Sequence, residues 1–205
     1  VKEGTLQLDP TAATSAINLG SGAANIALDA TLAALSDADF TFTNALTGDG
    51  LLSASNHGDA FSFSAGAGTA FTGTVALADN TFTLTGDNTA ALTQATLRLD
   101  ADNITTVGNG SVTDNNQQIG GLTFNGGKAI FNANVPADKH AISTITADEL
   151  DISGSGTVQV NVPAAFDNSQ PVPDTSLPLL EQDDLGARVQ LVSANHVNGT
   201  GGSID

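Results

Sequence analysis

The chain has 205 residues, including 22 Gly and nine Phe, and it contains no Cys, Met, Trp or Tyr. Its 22 acidic residues against five Lys and Arg give a formal net charge of −17. Nucleic acids and anionic membrane surfaces both require a basic patch, so this composition argues against either as a partner. A chain without thiols forms no wrong disulfides in an oxidising space, which favours the periplasm or the cell exterior.

The first periodic segment, from Ala23 to Leu35, has apolar residues at spacings that are compatible with a short helix. Much of the remaining chain alternates apolar and polar residues, which is typical of strands with one buried face. The residues predicted to face a core in these strands are Phe61, Phe63, Phe71, Val75, Leu77, Phe82, Leu84, Ala95, Leu97, Leu99, Leu122, Phe124, Ile130, Leu150, Ile152, Val158, Val160 and Val162.

Asp-Asn pairs punctuate these strands. Both residue types tolerate the left-handed conformation and hydrogen-bond to nearby backbone groups, whereas tight hairpins favour Asn-Gly or Asp-Gly. We therefore expect the pairs to bend the chain partway round without reversing it. They occur at residues 79–80, 87–88, 102–103, 114–115 and 167–168.

A longer period places Leu77, Leu97 and Leu122 near the middle of comparable strands. Loose repeats of about 20 to 30 residues are typical of solenoids, in which each coil buries its apolar face against its neighbours. At about 22 residues per coil the chain would form roughly nine coils and a rod about 40 Å long. The alternative is an antiparallel β-sandwich, because Asn109-Gly110 and Asn125-Gly126 are hairpin signals.

The segment 163–184 departs from the strand pattern, since it is rich in proline and ends in clustered acidic residues. Proline lacks the donor that a central ladder needs, so we expect a loop excursion from the solenoid wall. The strand Val189–Val192 is predicted to return the chain to that wall.

Five stretches share one style of short strands and polar corners: TFTNALTGDGLLSAS (41–55), FTGTVALADNTFTLTGDNTAAL (71–92), ATLRLDADNITTVGNG (95–110), GLTFNGGKAIFN (121–132) and LDISGSGTVQVNVP (150–163). They resemble coils of bacterial autotransporter (type V secretion) passenger domains of the self-associating and adhesive kind. The resemblance implies a right-handed parallel β-helix that is exported through the outer membrane and displayed at the bacterial cell surface or secreted. It also implies that residues 1–205 form one β-helix segment of a longer passenger.

The histidines are the first candidates for catalysis. His57 and Asp59 could supply a base and its orienting carboxylate, and His140 and His196 lie in similar polar surroundings. No Gly-x-Ser-x-Gly or Gly-Asp-Ser-Gly nucleophile motif accompanies them, so surface turns are the favoured interpretation.

Clustered carboxylates at Asp148, Glu149 and Asp151 could act on a polysaccharide, as paired carboxylates do in glycoside hydrolases. A lyase would also need nearby Lys or Arg, and the chain has neither Trp nor Tyr to stack sugar rings. The few basic residues available are Arg98, Lys128, Lys139 and Arg188. We therefore expect no enzymatic activity, with a polysaccharide-acting enzyme as the alternative.

Glu181, Asp183 and Asp184 are weak candidates for a calcium site. The chain contains neither an EF-hand loop nor a repeated Gly-Gly-x-Gly-x-Asp motif, so a solvated acidic loop is favoured. No metal and no cofactor are predicted.

The outer wall of the solenoid is the predicted binding surface, because stacked coils present polar side chains as ladders at fixed spacing. We expect multivalent polar contacts with the passenger of a neighbouring cell, or with a host surface protein or glycan, leading to aggregation, biofilm formation or attachment. A purely structural stalk is a further alternative. The candidate residues are Thr72, Thr74, Thr83, Thr85, Thr96, Asp100, Gln159 and Asn161.

Overall fold

The computed structural model describes residues 1–9, 16–17, 19, 21–109, 116–134, 141–152, 154–161, 190–199 and 202–204. Within these ranges the chain forms short strands and one short helix. The elements are β1 (Gly4–Leu8), β2 (Ala16–Ile17), β3 (Ala24–Ile26), β4 (Ala30–Leu35), β5 (Phe40–Phe42), β6 (Leu46–Gly48), β7 (Leu51–Ser55), β8 (Ala60–Phe63), β9 (Ala70–Phe71), β10 (Thr74–Ala78), β11 (Thr81–Leu84), α1 (Gly86–Ala91), β12 (Thr96–Asp100), β13 (Ile104–Val107), β14 (Asn116–Asn125), β15 (Lys128–Asn134), β16 (Ala141–Ile142), β17 (Thr144–Asp151), β18 (Thr157–Asn161) and β19 (Val192–Asn198).

The strands stack into a parallel β-solenoid whose wall consists of three sheets. The first sheet has the order β1-β4-β7-β10-β12-β14-β17-β19, and the third has the order β3-β6-β9. The second sheet has the order β16-β15-β13-β11-β8-β5-β2, with β18 also paired to β15. Apart from β15 and β16, strands that neighbour each other in a sheet are far apart in sequence, because the chain visits another sheet before it returns.

The predicted solenoid is confirmed, and the alternative β-sandwich is wrong. The strand pairs of the first and third sheets are parallel. Among the named strands of the described chain, only β15 and β16 pair antiparallel, with Ala133 opposite Ile142 and Asn134 opposite Ala141. The nine coils are not confirmed, since the first sheet has eight strands. The right-handed sense of the solenoid stays a prediction.

One aliphatic column runs through the core along the first sheet. Its central members are almost completely buried, and each lies opposite the next across a parallel strand pair. We call this set the aliphatic column; its members, in order, are Leu6, Leu32, Leu52, Val75, Leu97, Leu122, Leu150 and Val197. The sequence period had placed Leu77 with Leu97, but Leu77 lies opposite Leu99 and it is Val75 that lies opposite Leu97.

Two of the Asp-Asn pairs form the predicted corners between the first and second sheets. Asp79 and Asp102 adopt left-handed backbone conformations, with φ of 47° and 61°. The asparagines that follow them, Asn80 and Asn103, are buried and hydrogen-bonded. Each corner therefore turns the chain and fills the space behind the turn with an amide.

The pair at 87–88 is not a corner, because it lies inside α1. The Asn88 side chain accepts a hydrogen bond from the Phe63 backbone N–H at 2.6 Å and donates one to the Thr83 carbonyl at 2.7 Å. These contacts fix the helix against β8 and β11. The pairs at 114–115 and 167–168 lie outside the described residues, as does the predicted excursion 163–184.

The helix expected between Ala23 and Leu35 is also wrong, since this segment forms β3 and β4. Leu32 is buried between the neighbouring strands β1 and β7, whereas Leu28 is 64% exposed in the connection. Stacking on adjacent coils thus overrides the local helical spacing. The returning strand β19 begins at Val192, later than predicted.

Two further predictions at the second sheet need correction. Asn125-Gly126 is not a hairpin, because Gly126, with φ of 104°, lies between β14 of the first sheet and β15 of the second. Ile130 lies on the outer face, since its neighbours Ala129 and Phe131 are the buried residues of β15. For the pair Asn109-Gly110, residue 110 lies outside the described chain.

Among the described residues, no helix combines the length and the apolar character needed to cross a membrane.

Candidate functional site

The predicted surface residues lie on different parts of the wall. Thr74, Thr96 and Asp100 are on the outer face of the first sheet, in β10 and β12. Gln159 and Asn161 lie in β18, and Thr83 lies in β11. Thr72 precedes β10 and Thr85 precedes α1, so both belong to connections. The structure therefore places six of these eight residues in two groups of three on different sheets and the other two in connections, rather than on a single flank.

The outer face of the second sheet consists mainly of hydroxyl and amide side chains. Thr41 lies opposite Ser62, with 2.9 Å between the two hydroxyl oxygens. Thr83 lies opposite Thr106 in the next pair of strands. We call this surface the second-sheet face; its residues are Thr41, Ala60, Ser62, Thr81, Thr83, Ile104, Thr106, Lys128, Ile130, Asn132, Thr157, Gln159 and Asn161.

The second-sheet face carries almost no charge. Of its residues, Lys128 is the one with an ionisable side chain, although the chain as a whole has a formal net charge of −17. The acidic residues of the described chain lie instead at corners, in connections, in α1 and on the first sheet. The face is thus a neutral strip on a strongly anionic molecule.

Aromatic packing supports this face from behind. Phe61 lies between Phe40 and Phe82 in the core, with ring centroids 5.4 Å and 6.1 Å away. Phe63 packs edge-on against Phe61 at 5.1 Å and lies 6.1 Å from Phe42. Such aromatic pairs add to the stabilisation that comes from buried area. The strands that present Thr41, Ser62 and Thr83 therefore rest on a continuous aromatic layer.

Amides extend the ladder at the other end of the same face. The Asn161 Nδ2 donates to the Asn132 Oδ1 at 3.0 Å, and the Asn132 Nδ2 donates to the Gly108 carbonyl at 3.1 Å. These bonds join β18 to β15 and β15 to the end of β13. The side chains are held in place while their remaining polar atoms stay at the surface.

The first sheet presents a different outer face, on which β12 carries a paired arginine and carboxylate. The Arg98 guanidinium donates two hydrogen bonds to the Asp100 carboxylate, from Nε and from one terminal nitrogen, both at 2.9 Å. The Asn125 Nδ2 donates to the same carboxylate at 2.6 Å. Asp100, predicted as an outward binding residue, is therefore engaged within its own sheet.

The carboxylates considered for polysaccharide chemistry have amide partners on β19. The Asp148 Oδ1 accepts a hydrogen bond from the Asn195 Nδ2 at 3.1 Å, and the Glu149 Oε1 accepts one from the Asn198 Nδ2. These contacts join β17 to β19. They assign the two carboxylates a role in strand pairing.

His57 lies at an exposed corner between two carboxylates. Its Nε2 is 3.2 Å from the Asp37 Oδ1, and its Nδ1 is 3.6 Å from the Asp79 Oδ2. The imidazole is 72% exposed, and these partners replace the Asp59 that the sequence suggested. Exposed ion pairs of this kind contribute at most about 1 kcal/mol. His196 is exposed on β19 opposite Glu149, and His140 lies outside the described residues.

Within the described ranges, no group of three or more His, Asp or Glu side chains is arranged to hold a metal ion. The weak calcium candidates Glu181, Asp183 and Asp184 lie outside those ranges.

Sequence reasoning missed several residues of the second-sheet face, among them Thr41, Ser62, Thr106 and Asn132. The alternation of Phe and Ser in β8 was noted for its buried phenylalanines, and the same pattern marks Ser62 as outward-facing. Thr106 was harder to find, because in β13 the adjacent Thr105 faces inward and is 1% exposed. The Thr105 hydroxyl donates to the Asn103 Oδ1 at 2.9 Å, which accounts for its burial.

No protein-family model matches the chain, and no solved structure matches it. The chain is 39% identical over 225 aligned residues to a protein named uncharacterized lipoprotein YdeK from Escherichia coli (strain K12), in an alignment that covers 100% of the chain. It is 37% identical over 208 aligned residues to a protein named uncharacterized protein YuaQ from the same strain, with 98% of the chain covered. The chain spans 17% of the length of the first relative and 15% of the second, so it is similar in sequence to a limited part of two much longer proteins.

Proposed function

We propose that this chain is a non-enzymatic adhesive module of a bacterial surface protein of the autotransporter passenger kind, and that it self-associates laterally through the second-sheet face. The observation that carries the proposal is the neutrality of that face on a chain with a net charge of −17. Two such chains repel each other over most of their surfaces, and the neutral strip is where contact costs least.

The chemistry of the strip suits a contact between two copies. Hydroxyl and amide groups both donate and accept hydrogen bonds, so a surface rich in Thr, Ser, Asn and Gln can complement itself. Each hydrogen bond exchanged for water contributes only about 0.5–1.5 kcal/mol. A single pair of modules would therefore bind weakly.

Many copies on each cell would convert this weak contact into stable adhesion. Once one pair of modules binds, neighbouring pairs meet at a high effective concentration, and the total avidity far exceeds the single affinity. A regular wall helps, because side chains at fixed spacing along the solenoid can engage without first being ordered. The aromatic layer behind Thr41, Ser62 and Thr83 favours this preorganisation.

The comparisons support a location at a membrane or cell surface. One relative carries the name lipoprotein, which implies a membrane anchor on that protein. Export through the outer membrane and display outside the cell are what the resemblance of most of residues 41–192 to passenger coils implies. A host surface protein or glycan is the second class of partner that such a display would permit.

The proposal is tested with microspheres coated with the 205-residue chain through a single attachment site at one terminus. Coated microspheres should aggregate with one another and not with microspheres that carry an unrelated anionic protein of similar charge. Soluble chain added in excess should inhibit the aggregation. If coated microspheres stay dispersed at physiological salt, lateral self-association is wrong. If they also bind neither host cells nor matrix, the adhesive function itself is wrong.

A further inference from the structure

A groove of about 310 Å³ crosses the outer face of the first sheet, beside the connections that enter it from the third sheet. Sites for small molecules have volumes of about 300–1,000 Å³, so the groove lies at the small end of that range. Its floor is one register row, in which Leu51 of β7 lies between Thr31 of β4 and Thr74 of β10. Each of these strands has a neighbouring strand on both sides in the first sheet.

Two carboxylates line one end of the groove. Asp29 precedes Thr31 by two residues and Asp49 precedes Leu51 by two, so the two acids occupy equivalent positions on neighbouring coils. Both residues are exposed, and neither side chain has a hydrogen bond or an ion pair with another described residue. Because neighbouring strands lie about 4.8 Å apart, the groove offers two adjacent and unengaged hydrogen-bond acceptors.

Arg98 forms the opposite side of the groove. The next register row places Ala76 between Ser53 and Arg98, and Ala76 is 1% exposed although it lies on the outer face. Arg98 is thus a long side chain beside small ones. Its Nε and one terminal nitrogen donate to Asp100, both at 2.9 Å, while the other terminal nitrogen has no partner among the described residues. The guanidinium is therefore held in place with donors to spare.

The mixture of groups favours a neutral ligand that is rich in hydroxyls. Carboxylates accept hydrogen bonds, a guanidinium donates them, and threonine hydroxyls do both. An anionic ligand would be repelled by Asp29, by Asp49 and by the net charge of −17, and a fully cationic ligand would meet Arg98. The hydroxyls of a sugar suit all of these groups at once, and the C–H face of its ring suits the apolar floor.

We propose that this groove binds a neutral saccharide, with one sugar ring over Leu51. Hydroxyls of the sugar donate to Asp29 and Asp49, and others accept from Arg98. The chain has no Trp or Tyr to stack the ring, so binding at each site is weak and many copies are needed for firm attachment. The groove lies on the first sheet, so saccharide binding does not depend on self-association through the second-sheet face.

Saturation-transfer difference NMR of the 205-residue chain tests this proposal with a panel of neutral trisaccharides, namely maltotriose, cellotriose, mannotriose and tri-N-acetylchitotriose. At least one of them should bind at millimolar concentration, and anionic trigalacturonate should not. If none of the neutral trisaccharides binds, or if trigalacturonate binds as well as they do, the proposal is wrong.

A matched pair of double substitutions places the binding in the groove. Asp29→Asn with Asp49→Asn should weaken binding at least about tenfold, since hydrogen bonds to charged groups are the stronger ones. Asparagine tolerates the left-handed conformation of Asp29, which has φ of 64°, so the fold is kept. Asp59→Asn with Asp102→Asn is the control, because it removes the same charge from exposed residues outside the groove. Unchanged binding in the first variant, or an equal loss in both, would overturn the site.

The donor and the charge of the ligand are tested separately. Arg98→Lys keeps the charge and loses the planar fork of donors, so it should also weaken binding. Triglucosamine carries ammonium groups in place of the acetamides of tri-N-acetylchitotriose. If triglucosamine binds more tightly than every neutral trisaccharide and loses this advantage in the Asp29→Asn, Asp49→Asn variant, the groove is a cation site and the neutral saccharide is wrong. Microspheres coated with that variant should aggregate like those coated with its control, so failure here is distinct from failure of lateral adhesion.

Discussion

Asn103 donates a hydrogen bond from its side-chain Nδ2 to the Asn80 Oδ1 at 2.7 Å, one coil away at the same corner of the solenoid. Both side chains are no more than 1% exposed. The Asn80 Nδ2 in turn donates to the Ala54 carbonyl at 3.1 Å. The two asparagines thus connect three successive coils at the place where the chain leaves the first sheet, in addition to the backbone hydrogen bonds between the coils there.

Removing one member of this chain of amides should destabilise the fold. Asn80→Ala removes the side-chain donor to the Ala54 carbonyl and the closer of the two acceptors of the Asn103 Nδ2, which keeps the Asn80 backbone carbonyl at 3.3 Å. A buried polar group left unsatisfied costs about 1–3 kcal/mol. We expect a loss of that size in the free energy of unfolding, measured by urea denaturation followed by circular dichroism. Asn25→Ala is the control, because its amide bonds to the Thr47 hydroxyl at an exposed site. A substitution there should change stability by no more than about 0.5 kcal/mol.

Close backbone contact between coils predicts a second sensitive position. A Cβ added at Gly73 would lie 2.1 Å from the Gly50 carbonyl oxygen, which is backbone and cannot rotate away. We expect Gly73→Ala to lower the free energy of unfolding by about 3 kcal/mol, the upper end of the usual cost of overpacking. Gly22→Ala should be nearly neutral, since nothing lies within 4 Å of its added methyl group. Similar denaturation midpoints for the two variants would contradict this account of the coil contact.

The aromatic layer behind the second-sheet face predicts a third position at which a substitution destabilises the fold. Phe61 is 2% exposed and contacts three other phenylalanine rings. Phe61→Ala should cost about 3–5 kcal/mol, because a large cavity forms in a layer that cannot collapse without moving several strands. Ile104→Ala provides the control on the same sheet, since Ile104 is 39% exposed. Thermal unfolding of the two variants would show a large shift for the first and a small one for the second.

Salt should strengthen lateral association. The screening length falls from about 30 Å at 0.01 M ionic strength to about 8 Å at 0.15 M. Screening weakens the repulsion between two anionic chains, while hydrogen bonds between neutral side chains are little affected. Aggregation of coated microspheres, followed by light scattering, should therefore increase over this range. A contact built from opposite charges would show the reverse trend, so a decrease would exclude the neutral face as the point of contact.

The alternation of residues 71–84 was enough to predict the burial of its large apolar side chains, because the pleat sets which face each residue occupies. It placed Ala76 on the outer face, where the structure nevertheless buries it, and it gave no sign that Asn80 is buried. The pairing partners were not predictable, since the register of Leu77 with Leu99 depends on how many residues each coil uses at its corners. Helix α1 was missed because Asp87 and Asn88 suit a corner equally well locally. The position of α1 depends on the hydrogen bonds between Asn88 and two other residues. Phe63 is distant in sequence, and Thr83 lies in β11.

The candidate surface was predictable to a similar degree. Thr83 and Thr74 were both correctly expected to point outward, since each follows a buried residue or glycine in an alternating strand. Their separation onto different sheets depends on where the corner at Asp79 falls. The near-neutrality of the second sheet emerges only after the strands have been placed, because in the described chain the charged strand residues of β12 and β17 then fall on the first sheet.

The measurement that tests the central claim most directly compares two matched pairs of charge substitutions. Thr83 and Thr106 are register neighbours on the second-sheet face, and Thr74 and Thr96 are register neighbours on the first sheet. Each double substitution to Asp adds the same charge to two paired strands, so it has the same effect on the net charge of the chain. Microspheres coated with the Thr83→Asp, Thr106→Asp chain should no longer aggregate, while those coated with the Thr74→Asp, Thr96→Asp chain should aggregate like the parent. Unchanged aggregation of the first variant, or equal loss in both, would contradict the assignment of adhesion to the second-sheet face.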